Sequence, residues 1–513
     1  MKRICKILVL CLVVCMAVGI FAACTKYGPI GSTDYKDSEV VNNGSLVVQQ
    51  GGYLYYVNGM DDTSNITKPS DNEFGKASVK GSIMKSEIKE DGSLGKTEVV
   101  VPKMFYTSAS NGGFYIYGEW IYYLSPSTKT DNKSNVLTSQ LVAFRTKIDG
   151  TKTQEIANLS SSSTQYVFTD SAFIYYADNK LTKVNYDNAK VDKKAVDIAE
   201  EVSSVLFTAK TSTIFFIKSS EDTTRRNNNI FVCVNGEVKD VTTDATYPNS
   251  ASNLKEQFTY SLVSYDVKEN VLFYTKAINS NDASKTTSTY GYKFGDDFSF
   301  APSNEKKFAV SALSNIVNLG FDKGVMDMSS TTLTLYKPLA NDANVNDTQA
   351  LATLSSTGAK IIKMDEKEMY FALSNALWKI SYTDKDAFAE QVGESSAINT
   401  GWLTISVIGD YMYYIENTYN YMSRLKFNDF VFEPNNVVNA KGEILGGTRK
   451  AKLTKNEEES KDDDENVKKV IIDYVADDAY EEGVDYFFIP KFMSEADAQT
   501  YAEALYAEYE SKK

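Results

Sequence analysis

The 513-residue chain contains no histidine. That removes the Ser-His-Asp triad, the Cys-His pair, HExxH zinc sites and every other scheme built on imidazole. Carboxylates are abundant, with 68 Asp plus Glu, yet no pair is marked out by spacing for the acid and base of a glycosidase or lyase. A phosphate-binding P-loop, a GxSxG elbow, a CxxC pair and a dinucleotide fingerprint are all missing from the sequence. We therefore expect no catalytic residue, no cofactor, no metal ligand set and no enzyme activity. The formal charge of −14 also argues against a nucleic-acid partner, which would need a basic footprint for phosphates.

One side chain does carry chemistry. Lys2, Arg3 and Lys6 form a positive start, followed by an apolar run from Ile7 to Phe21 and then Ala22, Ala23 and Cys24. This is the pattern of a secretory signal, too short in its apolar part for a spanning helix of about 20 residues. Phe21-Ala22-Ala23-Cys24 resembles a bacterial lipobox, with Phe21 in place of the usual Leu. The resemblance implies a diacylglyceryl group on the Cys24 sulfur and cleavage between Ala23 and Cys24. Two acyl chains give a stable anchor where one is marginal. The expected location is the cell membrane, lipid-anchored and facing outside the cytoplasm. Cys5, Cys11 and Cys15 leave with the signal, so an acylated Cys24 leaves Cys233 without a disulfide partner. Cys233 lies in the β-type run Ile230-Phe231-Val232-Cys233-Val234 and reads as a buried, inert thiol.

The elements behind this leader announce themselves by repetition. A turn, an aliphatic residue, two aromatics and an apolar residue recur at Tyr53-Leu54-Tyr55-Tyr56, Trp120-Ile121-Tyr122-Tyr123 and Phe173-Ile174-Tyr175-Tyr176. Further copies are Ile214-Phe215-Phe216, Leu272-Phe273-Tyr274, Met369-Tyr370-Phe371 and Tyr411-Met412-Tyr413-Tyr414, with a degraded one at Gly324-Val325-Met326. From Tyr56 to Tyr414 the mean spacing is about 51 residues, near the period of propeller repeats. Each copy leads into a second apolar or basic run, such as Ile83-Met84-Lys85-Ser86 before Asp91-Gly92, or Phe144-Arg145-Thr146-Lys147 before Asp149-Gly150.

Aromatic and β-branched runs punctuated by Asn, Asp and Gly read as strands joined by hairpins. Runs that are apolar at nearly every position belong to strands covered on both faces. Four-stranded sheets packed between two neighbours and closed into a ring satisfy both conditions. The fold expected is all-β: a β-propeller of eight blades, or seven if the weak sixth copy is discounted. The Tyr-Tyr pairs, present in most units, read as packing residues of the blades.

The signature Gly-x-x-Ile/Leu-Tyr-Tyr-x-Asn/Asp, followed by Leu-x-Lys/Arg-Ile and an Asp-Gly turn, resembles an uncharacterised Tyr-rich bacterial β-propeller family. That family is named for its likeness to the propeller of low-density-lipoprotein receptor-related proteins, and its members are often carried on lipoproteins of low-GC Gram-positive bacteria. The resemblance spans residues 44–440 and implies no active-site residues. The copy around Met326 departs from it.

Past the repeats, seven of the nine residues from Glu457 to Glu465 are acidic, a block that stays solvated and lacks the spacing of a calcium loop. The division expected is a signal peptide (1–23), a tether (24–43), the propeller (44–440), an acidic linker (441–469) and an α/β extension (470–513). The extension holds strand-like runs at 470–475 and 486–490. Its helix would be capped by Ser494, with Ala498, Tyr501, Ala502, Leu505 and Tyr509 on one face. It would dock on the propeller or on a partner. The function expected is a membrane-anchored, non-enzymatic propeller lipoprotein binding a protein or an envelope glycan. The alternatives are a carbohydrate-binding or carbohydrate-active propeller and a solute-binding lipoprotein; the second needs alternating helices that the chain lacks.

Overall fold

The computed structural model describes residues 34–511, apart from 59–80, 102–103, 105–112, 127–140, 160–164, 193, 209–210, 220–227, 243–256, 280–286, 300, 302–303, 330–331, 341–342, 355–358, 374–375, 383–387, 395–404, 416–421, 428–435, 440–447, 457–469, 477–480, 482 and 491–494. Eight antiparallel sheets follow one another along the chain: blade 1 (40–101), blade 2 (115–159), blade 3 (165–199), blade 4 (202–240), blade 5 (257–309), blade 6 (316–353), blade 7 (360–394) and blade 8 (405–426). In each blade the strands pair in sequence order, and the inner strands of successive blades lie beside one another at five of the seven consecutive junctions. The fold is a β-propeller.

The aromatic runs are the second strand of every blade. Tyr53–Val57 is flanked on both sides by neighbouring strands and on both faces by neighbouring blades, so Leu54, Tyr55, Tyr56 and Val57 are all sealed from solvent. Leu54, Tyr56 and Ile83 of blade 1 share one cluster with Ile116, Ile121 and Tyr123 of blade 2 and with Ile408, Tyr413 and Met422 of blade 8. Comparable clusters fill the remaining junctions. The degraded copy is a true blade: Val325–Asp327 pairs with Ile316–Asn318 on one side and Thr332–Tyr336 on the other. There Gly324 is required, because a Cβ would meet the Tyr336 carbonyl oxygen at 2.4 Å.

The ends of the ring depart from the simple plan. Blade 1 carries an extra inner strand, Val40–Val41, and blade 8 has three strands among the described residues. Asn436–Asn439 pairs with the outer strand of blade 7 rather than with blade 8. Blades 1 and 8 exchange no strand among the described residues, where side chains of the two blades pack in one cluster.

A second device runs round the ring. A basic side chain on the third or fourth strand of one blade donates to a carbonyl oxygen in the last turn of the next blade. Arg145 Nη1 reaches Asp187 O (2.6 Å), Lys183 Nζ reaches Gly236 O (3.3 Å) and Lys239 Nζ reaches Asp297 O (3.2 Å). Lys307 Nζ reaches Ala343 O (2.7 Å), and Arg424 Nη2 of blade 8 reaches Gly92 O of blade 1 (2.8 Å). Such bonds from a charged donor contribute about 1.5–3 kcal/mol each where they are shielded. The basic runs of the sequence are therefore blade-to-blade clamps.

The C-terminal unit has its own core. A three-stranded sheet, with Thr448–Lys455 between Val470–Tyr474 and Phe487–Pro490, is covered by helix α1 (Glu495–Ser511). Residues 448–455, expected within the linker, are thus its central strand; their alternation of small apolar and basic residues suits a sheet with one face covered. Ala498 and Ala502 are buried against Ala451, Leu453 and Val470, so the apolar face of the helix meets its own sheet. Ser494 lies outside the described residues.

Candidate functional site

Meander topology sorts the connections onto two faces. First-to-second and third-to-fourth strand turns emerge on one face, here the turn face. Second-to-third strand loops and the links between blades emerge on the other, the loop face. The longest connections of the ring, 58–82, 102–114, 127–140 and 241–256, all begin and end at the loop face.

On the turn face, Asp side chains build the turns. Asp91 Oδ1 accepts from the Ser93 amide (2.9 Å) and hydroxyl (2.6 Å), and Asp149 Oδ1 does the same with Thr151 (2.9 and 2.6 Å). Asp187 accepts from the amides of Ala189 and Lys190, and Asp297 from that of Ser299. The Ser93 hydroxyl and amide hold the Asp91 carboxyl below its ordinary range, and turn amides do so for Asp187 and Asp297. These acids are committed to their own backbone. That removes four carboxylates from any list of candidate catalysts.

The loop face holds a cavity of about 600 Å³ at the junction of blades 3 and 4. Its walls are Asp178, Asn179, Lys180, Glu200, Glu201 and Ser203. The depression exists because the loop here is as short as a hairpin allows. Asp178 and Asn179 (φ 51° and 58°) form a two-residue turn with both residues left-handed. Glu201 (φ 58°) makes the equally short link to blade 4. Tyr176 Oη donates to Val202 O (3.0 Å) beneath it.

Lys180 Nζ contacts Asp197 Oδ2 (2.9 Å) and Glu200 Oε1 (2.6 Å). Hydrogen bonds to Glu200 and Asp197 hold its ammonium well above the usual lysine range. The groove thus offers carboxylate, amide and hydroxyl groups in an open, wet setting. These suit hydrogen bonding to hydroxyl or ammonium groups of a ligand. A smaller cavity of about 460 Å³ lies between blades 2 and 3, lined by Glu155, Asn158, Tyr175 and Val184 among others.

Two polar clusters escaped the sequence reading. In blade 5, Glu305 accepts from Tyr274 Oη and from Lys276 Nζ (2.6 Å), while the Lys276 ammonium sits 4.2 Å from the Tyr290 ring. Burial pushes the Tyr290 hydroxyl up to about 12. A basic residue inside the aromatic strand 271–279 was the signal that could have found it. In blade 2 the Arg145 guanidinium lies 4.1 Å from the Trp120 ring and 5.4 Å from that of Tyr186. Burial pushes the Tyr122 hydroxyl up to about 12 against the opposing pull of Arg145 beside it. Arg145, Lys276 and Glu305 are each under one-tenth exposed, so both clusters belong to the core.

Ala23 and Cys24, the predicted cleavage and lipidation positions, lie outside the described residues, as does the acidic block 457–465. Cys233 is buried among residues of blades 2 to 4, where desolvation pushes its thiol up to about 11. Among the described residues no cluster of three or more Cys, Asp and Glu is arranged to hold a metal, and no helix is long and apolar enough to cross a membrane.

No family model and no curated protein matches the chain. Among solved structures it is similar to the β-propeller domain of the Trilobed protease from Pyrococcus furiosus, at 8% identity over 78% of this chain and 95% of that one, with a TM-score of 0.32. It is also similar to puromycin hydrolase (9% identity, 68% and 58% covered, TM-score 0.32) and to Kuenenia stuttgartiensis hydrazine synthase (8% identity, 72% and 99% covered, TM-score 0.30). Likeness at this level transfers no site; the fold rests on the sheets themselves. The expectation that the protein is not an enzyme is corrected by these neighbours. A hydrolase and a synthase stand among them, and the missing histidine by itself excludes imidazole chemistry and nothing broader.

Proposed function

We propose that the protein is a membrane-anchored propeller lipoprotein whose loop face binds a protein or an envelope glycan outside the cytoplasm. The observation that carries this reading is the asymmetry of the ring. Asp-pinned turns of no more than eleven residues close one face, while the ring's four longest connections begin and end at the other, which also holds the 600 Å³ groove at blades 3 and 4. Binding residues concentrate on loops held by a rigid scaffold. The anchor is supported by the leader and by Phe21-Ala22-Ala23-Cys24. The Tyr-rich signature supports membership of the low-density-lipoprotein receptor-related-like bacterial propellers.

The test is capture of partners from crosslinked membranes with two variants, one with the 127–140 loop shortened and one with Asp149 and Thr151 of the turn face replaced. Loss of capture in the first alone supports the reading; equal capture by both overturns the loop-face assignment. For the anchor, Cys24→Ser is expected to move the protein from the membrane fraction to the medium. An unchanged distribution would remove the lipid from the proposal.

A further inference from the structure

We propose that the turn face of the ring looks toward the membrane and the loop face away from it; this rests on acylation of Cys24 as read above. The geometry that orients the ring is the attachment of residues 35–41 to blade 1. The Tyr35 ring stacks on Tyr53 with centroids 4.2 Å apart, and its hydroxyl meets the Tyr55 hydroxyl at 2.6 Å. The Lys85 ammonium lies 4.8 Å from the Tyr35 ring and 4.4 Å from the Tyr53 ring. Gln50 Nε2 donates to Lys36 O (2.9 Å), and Val40 pairs with Gln50. Gly51 has φ 55°, and a Cβ there would crowd the entering chain, 3.0 Å from Ser38 Oγ and 3.2 Å from Tyr35 Cβ. All of these partners lie at the Gly51-Gly52 turn or in the half of the strands next to it. The chain therefore enters the ring from the turn face, and Tyr35 pins the point of entry.

Eleven residue steps from Cys24 to Tyr35 span at most about 40 Å. The strands of blade 1 and blade 2 that separate the faces hold five to seven residues, or about 20 Å. Turning the loop face to the bilayer would take the tether from Tyr35, which sits over the third and fourth of the five strands, out past the last one, about 10 Å at 4.8 Å per strand, and then along the blade's height of about 20 Å. That path takes up about 30 Å of the roughly 40 Å leash before the lipid reaches the bilayer. With the turn face inward no such detour is needed, and the groove at Asp178 and Glu200 points toward partners beyond the membrane.

The experiment uses the lipidated full-length chain in proteoliposomes carrying an acceptor dye in the bilayer. A donor is attached at Glu90→Cys on the turn face or Glu200→Cys on the loop face; Cys233 is buried and does not compete. Transfer is expected to be at least about two-fold stronger from position 90, given the roughly 20 Å between faces. Adding Tyr35→Ala, which frees the entry point while leaving the blade's own strands paired, is expected to shrink that ratio toward one with the fold unchanged by circular dichroism. Equal or reversed transfer in the parent chain would overturn the orientation. A ratio unmoved by Tyr35→Ala would overturn Tyr35 as its cause. Absence of transfer from both positions would overturn the anchor, and the orientation with it.

Discussion

Arg145, at the junction of blades 2 and 3, is sealed from solvent, whereas Arg424 holds the equivalent cross-strand position at the junction of blades 8 and 1 and is half-buried. Arg145 faces Tyr122 across its strand pair, and Arg424 faces Tyr413. Each guanidinium lies 4.1 Å from an aromatic ring two residues earlier, Trp120 or Tyr411. Each donates to a carbonyl in the last turn of the next blade. Blades 2 and 3 are also joined by the chain; blades 8 and 1 are joined by nothing covalent, and a ring of consecutive sheets must close somewhere. The propeller closes by the clamp it uses elsewhere, in a wetter form. That makes the closing junction the place where the ring opens first.

The largest effect is expected from Arg145→Ala. The change removes a donor to Asp187 O and to Gln154 Oε1 (2.8 Å), together with a shielded contact on Trp120. Two charge-assisted bonds and one cation–π contact amount to about 4 kcal/mol once context is allowed for. Denaturant unfolding would measure it, and a loss below about 1 kcal/mol would mean that the clamp contributes little even where it is dry.

Lys85 takes the same cross-strand place in blade 1, opposite Tyr55, and sharpens the comparison through pH. Burial among tyrosines pushes its ammonium down from 10.5 to about 8. The unfolded chain then binds more protons than the folded one between those values, so stability should rise with pH from about 8 by up to about 1.4 kcal/mol per unit. Above pH 10 the sign reverses. Desolvation raises the hydroxyls of Tyr117, Tyr166 and Tyr260 above the ordinary 10, so the unfolded state loses their protons first and gains. Lys85→Met should abolish the rise and leave the fall; a wild-type curve flat from pH 8 to 10 would contradict the buried-amine account.

The strands that build these clamps were legible because a strand covered on both faces has to be apolar at every position, as Leu54 to Val57 are. The same spacing found blade 6, whose aromatics are replaced around Met326 while Gly324 keeps the turn. What could not be read was partnership at a distance. Nothing local in Met422-Ser423-Arg424 says that the arginine reaches Gly92, 332 residues away. Nor does the run Thr448–Lys455 state that it pairs with segments on the far side of an acidic block. The groove escaped for the opposite reason. It arises from shortness, two left-handed residues at Asp178 and Asn179, and a missing loop carries no motif.

Arg424→Ala tests the wet clamp itself. The expected loss is about 2 kcal/mol, one charge-assisted bond plus an exposed cation–π contact. The place matters more than the size. Hydrogen exchange should accelerate in blades 8 and 1 and stay unchanged in blades 3 to 6; uniform acceleration would show that the ring unfolds as one unit without opening at its seam.

The smallest effect isolates a single contact at that seam. Gly92 has φ 76°, and a Cβ there would come 3.2 Å from the Tyr411 hydroxyl; Gly118 has φ 58° with nothing within 4 Å. Alanine at either position takes on the left-handed backbone penalty of about 1 kcal/mol. Only at Gly92 must the neighbouring blade also give way, by a few tenths of an ångström at a side-chain tip. Gly92→Ala should therefore destabilise slightly more than Gly118→Ala, and the excess should vanish in a Tyr411→Phe background, where the hydroxyl is gone. An excess that survives Tyr411→Phe would place the strain in the turn itself and leave Arg424 to hold the closing junction without help from its aromatic neighbour.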